Sequence, residues 1–326
     1  MTSAPTLKRK RKLLMHFLLK ENIMSLNKHI IAITMTLLTS LLSLAALNAT
    51  AAEKVMHMPF EWDKTSNPLV KIDINGMRQT FSIDTGSNTG LHLTEEVMAQ
   101  LPELVIDAEK HRAIDLAGNV SFNDKFHIPQ VSINGMTFKD VKGVSFTPWG
   151  LTLTPDSSLP DSMVIGLGLF KEKSVMLDYK NQRISVADNT QELGINIADG
   201  WLSLPLRLTQ EGIKIKVSQD KKQYNMVLDT GATFSVFWKE RLSRPVTDIP
   251  CRAVLAEVRI EGDIEGCVAS AFQLSEMGAE GIKLNAVLLD GSFKQMDADG
   301  VIGNNFLHQF AMVIDFPGQQ LLIKPF

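Results

Sequence analysis

The sequence predicts a mainly β, bilobal chain whose two halves are related by a pseudo-twofold axis. Three observations carry that prediction. The stretch FSIDTGS (Phe81–Ser87) recurs as MVLDTGA (Met226–Ala232), an apolar run closing on Asp-Thr-Gly each time. The block VIGLGLFKEKSVMLDYKNQRISV (Val164–Val186) aligns without a gap on VIGNNFLHQFAMVIDFPGQQLLI (Val301–Ile323), matching Val-Ile-Gly to Val-Ile-Gly, Asp178 to Asp315 and Gln182 to Gln319. Two alternating apolar runs, VKIDINGM (Val70–Met77) and VSINGMTF (Val131–Phe138), run into Asn-Gly, the strongest short signal for a β-hairpin.

The elements follow in chain order. IKIKVSQDKK (Ile213–Lys222) is the second-half counterpart of the first hairpin strand. LDYKNQRISV and IDFPGQQLLI also read as hairpins, which makes Asp178 and Asp315 turn residues. A Thr cap and early acids predict a short helix over Thr94 to Leu101, and IGNNFLHQF predicts another. Residues around Asn196 to Leu204 join the halves. The expected division is 52–194 for the N-terminal lobe and 195–326 for the C-terminal lobe.

The N-terminus is a separate object. A basic run, LKRKRK (Leu7–Lys12), and Lys28 precede an uncharged stretch from Ile30 to Leu47, and Ala49-Thr50-Ala51 follows as a small-x-small pattern. Basic, apolar and small in that order read as a secretory signal, so residues 1–51 are expected to be a signal peptide or targeting segment. The protein is then periplasmic or secreted; the alternative is a membrane anchor over residues 30–47. Met24 would give a more usual signal length. The next segment, Ala52 to about Ser66, has no basic cluster that would pair with cleft carboxylates. It is expected to be an edge strand or to pack on the lobes, not to act as a zymogen prosegment.

Of 326 residues, 44% are hydrophobic and 21% charged, an ordinary globular composition. Without residues 1–51 the chain keeps 26 Lys and Arg against 35 Asp and Glu, a net of −9, which argues against nucleic-acid binding. Cys251 and Cys267 are either a disulfide, which an oxidising compartment favours, or two buried thiols. His92, His127 and His308 show no ligand spacing, and no metal or cofactor is expected.

The chemistry lies in the repeat. A single Asp-Thr-Gly is a turn sequence. If two of them meet at the pseudo-twofold axis, Asp84 and Asp229 face each other, and two close carboxylates share one proton because both cannot ionise. The pair can then activate a water against an amide carbonyl, one carboxyl as base and the other as acid. Gly86 and Gly231 allow a tight turn with backbone N–H groups near the carboxylates. The Thr85 and Thr230 hydroxyls can bond across the axis. Ser87 is placed to donate to Asp84, whereas Ala232 cannot do so for Asp229.

These motifs resemble those of the pepsin and retropepsin superfamily of aspartic proteases, in the bacterial retropepsin-like form with both lobes in one chain. FSIDTGS and MVLDTGA look like its catalytic loops, and Val-Ile-Gly at 164–166 and 301–303 looks like the element that supports each loop from behind. The resemblance covers about residues 66–326. It implies a bilobal acid-protease fold of two β-barrel-like lobes, a peptide or protein substrate held in a cleft between them, and a hairpin flap. It also implies an intramolecular dyad and hence a monomer. Neither Tyr179 nor Tyr224 lies where a pepsin-like flap tyrosine belongs. DLAGNVSF (Asp115–Phe122), with Gly118 at its tip, is the candidate flap, and IEGDIEGC (Ile260–Cys267) its second-lobe equivalent. The rival readings are a non-catalytic protein that binds peptide or an envelope ligand on the same fold, and a peptidase acting on one partner protein. If the signal is cleaved as read here, mass spectrometry of the exported protein finds its N-terminus near Ala52. Retention of Ile30 to Leu47 at the membrane would instead establish an anchor.

Overall fold

Alternation sets the first strands of the fold. In β1 (Val55–Trp62) Met56, Met58 and Phe60 turn inward while His57, Pro59 and Glu61 face solvent. In β2 (Pro68–Ile74) Val70, Ile72 and Ile74 are fully buried around the exposed Lys71. The period of two places one face of each strand on the core. β3 (Met77–Asp84) ends on four successive buried residues, Phe81 to Asp84, so both its faces are covered where it reaches the aspartate. The structure is a computed structural model that describes residues 54–326 apart from 115–119, 151–158, 220, 244–248, 256–266, 275–281, 292–293 and 295. The signal segment 1–51 and the flap tip Gly118 therefore lie outside the described residues, as does all of the second-lobe flap candidate except Cys267.

The first lobe continues through β4 (Leu91–Leu93), helix α1 (Glu95–Met98), β5 (Val105–Ile114), β6 (Val120–Ile133), β7 (Met136–Ser145) and β8 (Met163–Gly166). The predicted helix is present but short: the Thr94 hydroxyl caps it by accepting from the Val97 N–H, and its end tightens into i→i+3 bonds up to Leu101. β2, β3, β8, β4, β7 and β6 pair in that order, and β6 returns to β2 at Ile133–Ile74, closing a barrel. Both Asn-Gly pairs sit at this seam with φ positive at each residue, the conformation of the tight hairpin turn they predict. The turns clasp each other. The Asn75 side chain accepts from the Ser132 N–H, and that of Asn134 from the Asp73 N–H.

β9 (Ser174–Asp178) and β10 (Arg183–Ala187) form the next hairpin, with Gln182 at positive φ in its turn. The second half then repeats the plan: β11 (Leu202–Pro205), β12 (Leu208–Thr209), β13 (Gly212–Gln219), β14 (Lys222–Leu228), β15 (Val236–Trp238), β16 (Ile249–Pro250), α2 (Arg252–Leu255), β17 (Val268–Leu274), β18 (Lys283–Leu289), β19 (Gly300–Ile302), α3 (Asn304–Leu307), β20 (Phe310–Asp315) and β21 (Gln320–Pro325). Here β13, β14, β19, β15, β18 and β17 pair in order and β17 returns to β13, the same circuit as in the first lobe. Gln319, the repeat equivalent of Gln182, again has positive φ. The Asp178 carboxylate accepts from Asn181 and that of Asp315 from the Gly318 N–H, so both aspartates serve their turns.

A shared sheet joins the lobes, in the order β11-β21-β20-β9-β10-β1. At its centre Met176 pairs with Val313, antiparallel. The offset between those two residues is 137, the same that carries Val164 onto Val301, so the pseudo-twofold axis passes through a residue paired with its own repeat equivalent. β1 packs on the lobes and is not an edge strand, the other arrangement expected of this segment. Val55–Pro59 pair with β10 and Phe60–Trp62 pair with β2, so this segment links the shared sheet to the first barrel. Nor are residues 196–204 a plain connector, since Leu202 onward pairs with β21. Among the described residues no helix is long and apolar enough to cross a membrane.

Cys251, at the start of α2, and Cys267, before β17, are joined as a disulfide with Cα atoms 5.7 Å apart. The bridge sits among Trp238, Val254, Leu255 and Val287 in a small second core. It closes a 16-residue separation, which corresponds to about 3 kcal/mol of stabilisation. Denaturant titration with and without reductant should show a loss of that order, and Cys251→Ser/Cys267→Ser should reproduce it.

Candidate active site

Each Asp-Thr-Gly loop leaves the end of a buried strand and is backed by a parallel neighbour. β3 pairs with β8 residue for residue, Ile83 with Ile165 and Asp84 with Gly166. β14 pairs with β19 likewise, Val227 with Val301 and Leu228 with Ile302, and the Asp229 N–H donates to the Ile302 carbonyl at 3.0 Å. The glycines after Val-Ile are required by close approach. A Cβ on Gly166 would lie 2.2 Å from the Thr89 carbonyl oxygen, and one on Gly303 would lie 2.5 Å from the Phe234 carbonyl carbon.

The loops lock to each other through their threonines. The Thr85 N–H donates to Thr230 Oγ1 at 3.1 Å, and the Thr230 N–H donates to Thr85 Oγ1 at 3.0 Å. Each hydroxyl then donates to the strand carbonyl behind the opposite aspartate, Thr85 to Leu228 at 2.8 Å and Thr230 to Ile83 at 2.5 Å. Both threonines are buried. A further strut crosses the lobes where the Asn88 side-chain amide donates to the Thr209 and Gln210 carbonyls.

This brings Asp84 and Asp229 face to face. Each carboxyl sits over the other loop's glycine: a Cβ on Gly86 would lie 2.8 Å from the Asp229 carboxyl carbon, and one on Gly231 would lie 2.9 Å from that of Asp84. Backbone donors hold the near oxygens. Asp84 Oδ1 accepts from the Gly86 N–H at 2.8 Å and the Ser87 N–H at 3.2 Å, and Asp229 Oδ1 accepts from the Gly231 N–H at 2.7 Å. Burial pushes Asp84 well above the usual carboxylate range, and the neighbouring Asp229 raises it further. Burial also raises Asp229, but the N–H groups around it and the hydrogen bond with Asp84 act against the rise. The arrangement can hold one proton between two carboxyls.

The surroundings are not symmetric. Ser87 Oγ lies 2.8 Å from His92 Nε2, a partner its position in the motif does not suggest. In the second lobe the buried Asn304 replaces Leu167 of the aligned block. Its side chain donates to the Thr230 carbonyl at 2.8 Å and to Asn67 Oδ1 at 3.1 Å, and it accepts from the Tyr179 hydroxyl at 3.0 Å. Tyr179 is stacked on Trp62, and burial, with the charge of Asp229, holds its hydroxyl firmly protonated. Asn304 had a signal in the sequence, since it breaks an otherwise close match within a gapless repeat. Tyr179, Asn67 and His92 had none, because their roles come from contacts across 125, 237 and 5 positions that no spacing marks.

The candidate flap is a hairpin, with β5 and β6 paired up to Ile114–Val120 and Val120 and Phe122 exposed on it. A cavity of about 1120 Å³ lies beside the first loop, lined by Asn88, Thr89 and Gly90 with Lys139 and Lys142, but neither aspartate lines it.

Fold and site together define a bilobal, mainly β protein of the acid-protease fold with two paired Asp-Thr-Gly loops at its centre. Among solved structures the chain is similar to basic 7S globulin from soybean, at 9% identity and a TM-score of 0.52 over 83% of this chain and 95% of that one. At that identity the likeness is one of fold. No family model matches the chain. No curated protein matches it either.

The threonine lock is open to test. Thr230→Val strands the Thr85 N–H and the Ile83 carbonyl in a buried setting, a cost of about 2–4 kcal/mol, because each orphaned group loses its full desolvation compensation. Thr230→Ser keeps the hydroxyl and should lose about 1 kcal/mol or less in the same urea titration.

Proposed function

We propose that this chain is an aspartic endopeptidase in which Asp84 and Asp229 share a proton and activate a water for attack on a peptide bond. The single observation that carries the reading is the reciprocal Thr85–Thr230 lock, which holds two buried carboxyls against each other's loop. Such a pair has little structural use, since burying two like-charged groups together costs stability unless one stays protonated. Asp229, whose rise is opposed by the hydrogen bond with Asp84 and by the N–H groups around it, is the base that takes a proton from the water. Asp84, the more basic site, gives its proton to the carbonyl oxygen as the tetrahedral intermediate forms. The two exchange roles when the leaving amine departs. The β5–β6 hairpin, with Val120 and Phe122 exposed, is the element that would cover an extended peptide in the cleft.

Substrate selection is expected at the level of an extended peptide with apolar side chains. The test is turnover of a mixed peptide library by the mature protein, with Asp84→Asn and Asp229→Asn as controls. Each substitution should lower kcat/KM by about a thousandfold or more, since both carboxyls act as one unit. The variants should not be unfolded. A carboxyl whose proton affinity is raised by folding stabilises the fold below its unfolded pKa and loses that contribution as pH rises towards the folded value. Above the ordinary carboxylate range the dyad therefore opposes folding, and Asp84→Asn should be at least as stable as the parent at neutral pH. Binding of library peptides without cleavage would replace the enzyme by a peptide-binding protein; cleavage by either single variant would exclude the intramolecular dyad.

A further inference from the structure

Ser87 has an unexpected partner. Its Oγ accepts from the Thr89 N–H at 3.3 Å, which fixes one lone pair, and its single proton has His92 Nε2 at 2.8 Å. Gly166 of β8 makes this possible, because a Cβ there would lie 2.9 Å from Ser87 Oγ and 2.7 Å from the Ser87 carbonyl. His92 is well placed as an acceptor. It sits in β4 between Val144 of β7 and Val164 of β8, and its ring lies 4.7 Å from that of Trp149. The ionisable group facing it is His111 of β5, a cation when protonated, so nothing there favours an imidazolium. Burial, helped by His111, lowers His92 to about 3, so the ring is neutral above that pH. Asp84 in turn faces Asp229, with Tyr179 beyond that partner.

We propose that His92 is a positioning residue for the dyad: it holds the Ser87 hydroxyl proton away from Asp84, so Asp84 keeps backbone donors alone. The inference rests on the proposed function, in which Asp84 carries the shared proton. A hydroxyl donating to a carboxylate favours its charged form. Withholding that donor leaves Asp84 the Gly86 and Ser87 N–H groups, and no hydroxyl lowers its hold on a proton. A Ser after the first Asp-Thr-Gly would by itself give the opposite bias.

His92→Phe removes the acceptor at similar size and lets the hydroxyl turn to Asp84. In the singly protonated dyad the alkaline limb of the kcat/KM profile reports loss of the shared proton and the acid limb reports uptake of a second one, both as properties of the pair. The alkaline limb, and the ¹³C carboxyl titration of Asp84, should fall by about one pH unit while the acid limb stays in place, in line with the effect of one added hydrogen bond to a carboxylate. Adding Ser87→Ala to His92→Phe should restore the parent limb. Ser87→Ala alone should leave it unmoved. A folded His92→Phe protein with both readouts unchanged would overturn the inference, as would Ser87→Ala alone moving the limb as far. Should His92→Phe fail to fold, the ¹⁵N spectrum of the parent decides: an unprotonated Nε2 on His92 supports the inference, and a protonated one ends it. The titration and the tautomer need no turnover. A protein that cuts nothing yet titrates as described would fail only the functional proposal, and one that cuts peptides with an unmoved limb would fail only this inference.

Discussion

The structure depends on four hydrogen bonds made by two threonines. Each Thr hydroxyl accepts a backbone N–H from the other loop and donates to a carbonyl behind the other aspartate. No group in this square can be satisfied by its own lobe, and all are buried. The lobes must therefore dock at one register or leave orphaned polar groups, which is the costly alternative. The strands behind the loops follow from the same constraint. Parallel pairing to Val-Ile-Gly fixes where each strand ends, and glycine at that point lets the following loop pass within contact distance.

Much of this was legible in the sequence. The doubled Asp-Thr-Gly, the gapless Val-Ile-Gly block and the two Asn-Gly turns are local patterns, and each is dictated by local geometry: a buried strand end, a close approach, a pair of positive φ values. Where the pseudo-twofold axis lies, at the Met176–Val313 pair, is set by the register of β9 on β20 and not by the offset of 137 alone. What escaped was set by contacts between distant segments. β1 alternates as an edge strand would, and nothing in VMHMPFEW says that it is hydrogen-bonded to β10 at one end and β2 at the other. Ser87 reads as a donor to Asp84, and its diversion to His92 depends on β4 lying beside β8.

The departures from symmetry gather around the dyad. Leu167 becomes Asn304, and Ser87 becomes Ala232, at equivalent positions of the two lobes. The first change ties the Asp229 loop to Tyr179 and Asn67, which belong to the other half of the chain. The second leaves a hydroxyl beside one aspartate alone. Two carboxyls made identical by the fold need different environments if one is to be acid and the other base. Both changes exchange uncharged groups, so the asymmetry adds no charge.

The shared sheet has a consequence for the order in which the molecule can be completed. β1 comes from the first described residues and β21 from the last, yet both belong to the sheet that carries the Met176–Val313 pair. A chain emerging from the ribosome can close its first barrel early, because those strands are near in sequence. It cannot finish the sheet, or seat the second loop against the first, until β20 and β21 have been made. Contacts of such long sequence separation form late. A growing chain that still lacks β20 and β21 therefore holds at most one aspartate in place, and the two carboxyls meet only after those strands have been made.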